Sequence, residues 1–150
     1  MNTIERATTG LVAECGGRAQ RRIRIGSFQV GFPEPDGMTT AVRGLSRALA
    51  SRGHEVTIYG CGAGDADAES RPGLRALLFP LRTRNPFFVP RALLRRLEAN
   101  EDGLELLMLH SMFHPANVAV ARAARRAGIP YIVCPHDPYH PNLLRKNRIR

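Results

Sequence analysis

Hydrophobic positions along this chain alternate between two spacings, and that alternation predicts an α/β fold. Short apolar or β-branched runs typical of strands occupy residues 23–28, 54–59, 74–79, 104–109 and 129–134. Between them, apolar residues recur at helical spacing over residues 38–52, 90–97 and 117–127. Strands that alternate with helices pair in parallel through right-handed crossovers, so we predict an open parallel sheet flanked by helices.

Length and composition suit one domain with its own core. The chain has 150 residues, of which 43% are hydrophobic and 23% are charged. Residues 1–22 show no sustained period and end in a basic cluster, so we expect a loose leader there. Residues 23–150 should form the domain, with residues 142–150 starting a further helix.

Charge and cysteine usage narrow the partners and the compartment. The 22 Lys and Arg residues exceed the 13 Asp and Glu residues, and the net charge of +9 favours phosphate-rich partners or an anionic membrane surface. Cys15, Cys61 and Cys134 are too few and too scattered for a disulfide framework, which fits a reducing cytoplasm. No apolar run approaches the roughly 18 residues that cross a bilayer. We expect a cytoplasmic protein that can also lie peripherally at a membrane.

Polar residues close two of the predicted strands. His110 and Ser111 follow the strand over residues 104–109, and His136 and Asp137 follow the last strand. Ligands of open parallel sheets bind beyond the carboxyl ends of the strands, so we predict a site at these residues. A neutral imidazole at position 136 could hydrogen-bond a sugar hydroxyl or act as acid or base, with Asp137 orienting it. The alternative is a histidine that is satisfied by backbone in a proline-flanked turn.

A glycine loop precedes the first predicted helix. Gly37 stands at the helix entrance, where free N–H groups and the positive end of the helix dipole suit a phosphate. No G-x-G-x-x-G or P-loop sequence accompanies it. The alternative is an ordinary turn with Asp36 or Thr39 as the N-cap.

Two H-x-x-x-H pairs raise the hypothesis of a zinc site and a metal-dependent hydrolase. The pairs are His110 with His114 and His136 with His140. Pro115 and Pro138 interrupt the helical geometry that such pairs need. We predict no metal and keep the hydrolase as an alternative.

Taken in order, these segments resemble the N-terminal, acceptor-side domain of a GT-B glycosyltransferase of the retaining family 4. Residues 121–136, ARAARRAGIPYIVCPH, look like that family's helix and strand leading to its Pro-His-Gly loop, and residues 49–58, LASRGHEVTI, match it as well. The likeness covers about residues 23–150 and implies a Rossmann-like sheet.

The resemblance also implies roles for individual residues. His136 matches the histidine that contacts the donor sugar near the reacting centre, so it is the candidate catalytic residue. Gly37 and Met38 fall in the loop whose backbone faces the donor diphosphate. Asp36 replaces a usual glycine of that loop, and a carboxylate there would repel the diphosphate.

Three further residues complete the predicted site as substrate-binding groups: His110, Ser111 and Asp137. Asp137 stands where the family often has glycine. No cofactor is implied beyond the nucleotide-sugar, which is the donor substrate.

In the family that the chain resembles, a second Rossmann-like domain carries most of the nucleotide-sugar site. The resemblance therefore implies that this chain transfers a sugar to a sugar or lipid-linked acceptor only when a donor-binding domain completes it. That domain could belong to another chain. We expect the chain alone to be inactive, since both walls of the cleft are needed to surround the sugar and exclude water. We expect no nucleic-acid partner. The alternative is a non-catalytic binding module from a truncated gene.

Overall fold

The computed structural model describes residues 21–62, 64–66, 70–81, 88–111 and 114–136. Its elements are β1 (Arg24–Val30), α1 (Gly37–Ser51), β2 (Glu55–Cys61), β3 (Leu74–Leu78), α2 (Arg91–Glu98), β4 (Leu106–His110), α3 (Pro115–Arg126) and β5 (Tyr131–Cys134). Several predictions fall outside the described residues: the leader up to residue 20, Cys15, Asp137, His140 and the helix over residues 142–150.

The described strands form one parallel sheet in the order β3-β2-β1-β4-β5. This confirms the predicted Rossmann-like arrangement. The chain winds outward from β1 to β3 on one side, and then crosses to β4 and β5 on the other. The strand order therefore reverses between β1 and β4, and the crevice beyond their carboxyl ends is where open α/β sheets bind ligands.

Helices pack on both faces of the sheet. On the first face, α1 buries Val42 against a core that includes Ile25, Val56, Ile58 and Met108. On the second face, α2 and α3 close over a core that includes Phe28, Leu93, Leu107, Leu109 and Val120. Alternation along β1 and β4 sends neighbouring side chains to opposite faces, so Ser27 and His110 share the α1 face with Ile25 and Met108.

Several predicted boundaries differ from the observed ones by one or two residues, and side-chain hydrogen bonds explain two of these differences. The α3 helix begins at Pro115 rather than at residue 117, because His114 is the N-cap and proline suits the first turn. The β4 strand begins at Leu106 rather than at residue 104, because Asn100 holds the backbone N–H of Leu104 in a turn at 2.7 Å. None of the described helices could cross a membrane.

Candidate functional site

Four buried polar side chains gather where β1 and β4 approach their carboxyl ends. They are Ser27, Gln29, His110 and Asn117. Burying polar groups is unfavourable unless hydrogen bonds replace the lost water, so their partners define the site. Ser27 and Gln29 flank Phe28, which packs into the opposite core, and this alternation turns both polar side chains to the α1 face.

A chain of hydrogen bonds links β1, β4 and the residue that follows β5. Ser27 Oγ lies 2.8 Å from His110 Nε2, and His110 Nδ1 lies 2.7 Å from His136 Nε2. His110 is buried, whereas His136 is exposed at the surface above it. Burial, and secondarily the charge of His136, lowers the pKa of His110 to about 4. His110 is therefore neutral near physiological pH.

Both strand ends turn sharply at this cluster. Ser111 and His136 have φ angles of 72° and 48°, a left-handed conformation that non-glycine residues rarely adopt. Asn117, in the first turn of α3, donates through Nδ2 to the carbonyl oxygens of His110 and Ser111. The backbone N–H of Ser111 donates to the carbonyl oxygen of Cys134 at 3.0 Å. The unusual backbone at Ser111 is thus held from α3 and from β5.

The start of α1 is capped by a carboxylate. Asp36 accepts from the backbone N–H of Thr39 at 2.6 Å, and this bond is the largest cause of the lowered pKa of Asp36. The Thr39 hydroxyl in turn accepts from Gln29 Nε2 at 2.8 Å, which ties α1 to the end of β1. Gly37 is exposed and Met38 is half-buried against the α1-face core. Asp36 is the N-cap, and the diphosphate role of Gly37 and Met38 stays a prediction.

The structure brings several predicted site residues to one edge of the sheet. His110, Ser111 and His136 lie together at the ends of β4 and β5, and Gly37 and Met38 open the helix that follows β1. His110 is only 1% exposed and reaches the surface through His136. Asp137 lies outside the described residues.

Sequence reasoning missed three buried members of the site, namely Ser27, Gln29 and Asn117. A pattern could have found the first two. Ser27 and Gln29 are polar residues two positions apart in an otherwise apolar strand, so their side chains point to the same face of the sheet. Polar side chains on a buried face need hydrogen-bond partners. Asn117 carries no comparable pattern, because a polar residue in the first turn of a helix is ordinary.

His110 and His114 do not share a helix, and His140 of the second pair lies outside the described residues. His114 caps α3, where its Nδ1 accepts from the backbone N–H of Ala116 at 3.3 Å. Both ring nitrogens of His110 are engaged by Ser27 and His136. Within the part of the chain that the structure describes, no three His, Cys, Asp or Glu side chains are placed to hold a metal ion.

A second polar cluster lies at the opposite, amino edge of the sheet. Asp102 accepts from Tyr59 Oη at 2.6 Å and from two nitrogens of Arg96 at 2.7 Å, and it also pairs with Arg75. Asp102 also lines a cavity of about 480 Å³ whose described walls include five arginines, Arg71 among them, and three acidic residues. The amino edge therefore offers a second surface suited to an anion, far from the carboxyl ends of the strands where the candidate site lies.

Comparison with known proteins identifies the family. Residues 36–150 match the family model of the glycosyl transferase 4-like domain. Among solved structures, the C-terminal domain of a hydrogenase from Pyrococcus furiosus is 13% identical with a TM-score of 0.54, over 78% of this chain and 95% of that chain. That likeness shows the fold alone. No curated protein matches the chain. Because the family model spans well over half of the sequence, the chain belongs to the glycosyl transferase 4-like family.

Proposed function

We propose that this chain is the acceptor-side domain of a glycosyltransferase that moves a sugar from a nucleotide-sugar donor to a sugar or lipid-linked acceptor. The observation that carries the proposal is the exposed His136, which rests on a buried polar chain at the point where the strand order reverses. Membership of the glycosyl transferase 4-like family supports the reaction class.

His136 is the candidate catalytic residue because it is the exposed end of the chain of hydrogen bonds. One ring nitrogen is bound to His110, and the other has no hydrogen-bond partner among the described residues. That nitrogen is available to a sugar hydroxyl, which can donate or accept. The rigid support below the ring keeps it in position without a further entropy cost when ligand binds.

The sugar donor requires a second domain that encloses it on the side opposite His136. His136 is exposed in the chain by itself, so water has access to any sugar bound there. Glycosyl transfer needs a water-poor site with preorganised polar groups on all sides of the sugar. We infer that a donor-binding domain faces the carboxyl edge during turnover.

The diphosphate is held mainly by that second domain in this proposal. Asp36 is kept ionised by its hydrogen bond to Thr39, and that bond occupies one of the amides at the start of α1. A carboxylate beside a diphosphate is repulsive. Gly37 and Met38 then contribute backbone contact rather than charge.

Ring signals of the histidines can locate sugar-nucleotide binding. We expect titration of ¹⁵N-labelled protein with UDP-glucose or GDP-mannose to shift the ring signals of His110 and His136. His54 lies next to β2 at the amino edge and should not respond. In calorimetry, His136→Ala should weaken the binding about tenfold, which is the loss of about 1.4 kcal/mol.

The matched control is Arg71→Ala, which alters the arginine-lined cavity at the amino edge. The diphosphate of the probe could bind there nonspecifically, and this variant detects such binding. Heat that is lost in Arg71→Ala but kept in His136→Ala would place the ligand at the wrong edge and reject the proposed site.

A further inference from the structure

We infer that Ser27 and His110 are positioning residues that fix His136 in its Nδ1–H tautomer, so that it offers the ligand a hydrogen-bond donor and no lone pair. The tautomer follows from the geometry of the unliganded chain. Only the nature of the ligand rests on the proposed function.

The first step concerns the hydrogen of the Ser27 hydroxyl. Ser27 is fully buried, and its one hydrogen-bond partner among the described residues is His110 Nε2 at 2.8 Å. If Nε2 carried a proton, the hydroxyl hydrogen would be buried without an acceptor, at a cost of about 1–3 kcal/mol. Ser27 therefore donates, and His110 Nε2 accepts.

The second step establishes which ring donates in the hydrogen bond between His110 and His136. A neutral imidazole has one N–H and one acceptor nitrogen, so His110 with an accepting Nε2 carries its proton on Nδ1. Its low pKa is consistent with a neutral ring. Nδ1–H then donates across the 2.7 Å contact to His136 Nε2.

The third step establishes which nitrogen of the exposed His136 ring carries the proton. The only ring lone pair of neutral His136 lies on Nε2, where His110 already uses it. The remaining Nδ1–H is a donor, which suits an oxygen acceptor such as a sugar hydroxyl. His136 thus stabilises an oxygen of the ligand and does not abstract a proton. Ser27 itself is too deeply buried to be a nucleophile.

Long-range ¹H–¹⁵N correlation spectra of histidine-labelled protein test the inference, because they distinguish the two neutral tautomers. In the unsubstituted chain, His136 should show a protonated Nδ1 and an unprotonated Nε2. Ser27→Ala removes the donor to His110 and should raise the Nε2–H population of His136 severalfold. The matched control is Ser46→Ala, since Ser46 is equally buried but has no hydrogen-bond partner among the described residues.

A rescue variant separates positioning from general damage. In Ser27→Ala/His110→Asn, the asparagine amide can donate to His136 without help from residue 27. We expect the Nδ1–H form to return. A His136 that is Nε2–H in the unsubstituted chain, or that keeps its tautomer in Ser27→Ala, overturns the inference.

These spectra need no ligand, so the inference and the proposed function fail separately. If the tautomers behave as expected and no sugar nucleotide shifts His136 even when a donor-binding domain is added, the positioning role stands and the proposed function falls. If sugar nucleotide binds at His136 but the tautomer is insensitive to Ser27, only the positioning role is lost.

Discussion

At the scale of single residues, the negative charge of Asp36 at the start of α1 affects which ligands can bind there. Asp36 satisfies one of the N–H groups that a helix leaves free, and it does so as an anion. The same carboxylate that stabilises the helix therefore opposes a diphosphate at Gly37. Stability and anion binding compete at this position, and a substitution can separate them.

Asp36→Asn should separate them, because asparagine also caps helices but carries no charge. The pKa of Asp36 is lowered in the folded chain, so its charged cap stabilises fully above about pH 4 and is lost as pH falls through the lower, folded-state pKa. We expect Asp36→Asn to remove this part of the acid destabilisation in urea titrations at several pH values. It should also strengthen UDP-glucose binding if the loop faces the diphosphate.

The control for that experiment is Asp36→Ala, which removes both cap and charge. It should destabilise the chain by about 1 kcal/mol at neutral pH, whereas Asp36→Asn should change stability by much less. Equal losses in the two variants would contradict the capping role.

At the scale of elements, Asp102 joins parts of the fold that are far apart in sequence. It lies between α2 and β4 and contacts Tyr59 of β2, Arg75 of β3 and Arg96 of α2. Burial alone would raise the pKa of Asp102, but hydrogen bonds from Arg96 and Tyr59 outweigh burial and lower it. This cluster fixes the amino edge of the sheet, while the carboxyl edge carries the candidate site.

Asp102→Asn should destabilise the fold by about 2–4 kcal/mol, because it leaves a buried network without its charge. The matched control is Glu101→Gln, which removes an exposed partner of the same Arg96 and should cost less than about 1 kcal/mol. Urea unfolding of both variants measures the difference. A similar small loss in each would show that the network adds little stability.

The sequence predicted elements better than it predicted their ends or their contacts. Each strand in the described residues contains a run of apolar or β-branched side chains. The central strands β1, β2 and β4 are covered on both faces, whereas the edge strand β5 exposes Tyr131, Ile132 and Val133. Helix and strand starts depended on single hydrogen bonds, such as those of His114 and Asn100, which hydrophobic spacing does not contain. Local pattern sets the element, and side-chain chemistry sets its limits.

The sequence predicted the part of the candidate site that follows from strand topology alone. Polar residues after parallel strands must meet at one edge, so the meeting of His110 and His136 was predictable. The contact between Ser27 and His110 joins residues 83 positions apart and needs the register of β1 against β4. No local pattern specifies that register, and this is why the supporting layer of the site was missed.

At the scale of the whole molecule, the two edges of the sheet differ in whether their polar groups are paired or exposed. The amino edge is closed by ion pairs around Asp102, whereas the carboxyl edge ends in an exposed imidazole on a rigid polar support. One edge thus stabilises the fold, and the other leaves an imidazole exposed. In our proposal this asymmetry leaves the carboxyl edge to a donor-binding domain, because the substrates of a two-domain enzyme bind between the domains.

That asymmetry predicts complementation. A donor-binding domain encoded in frame with this chain, or beside it, should give turnover of a sugar nucleotide when the two are combined, and this chain alone should give none. His136→Ala should lower kcat of the combined protein about 100-fold, as expected for loss of one preorganised donor. Arg71→Ala, at the amino edge, should leave kcat unchanged. Release of nucleoside diphosphate measures each rate, and turnover by the isolated chain at the combined rate would show that the imidazole edge needs no facing domain.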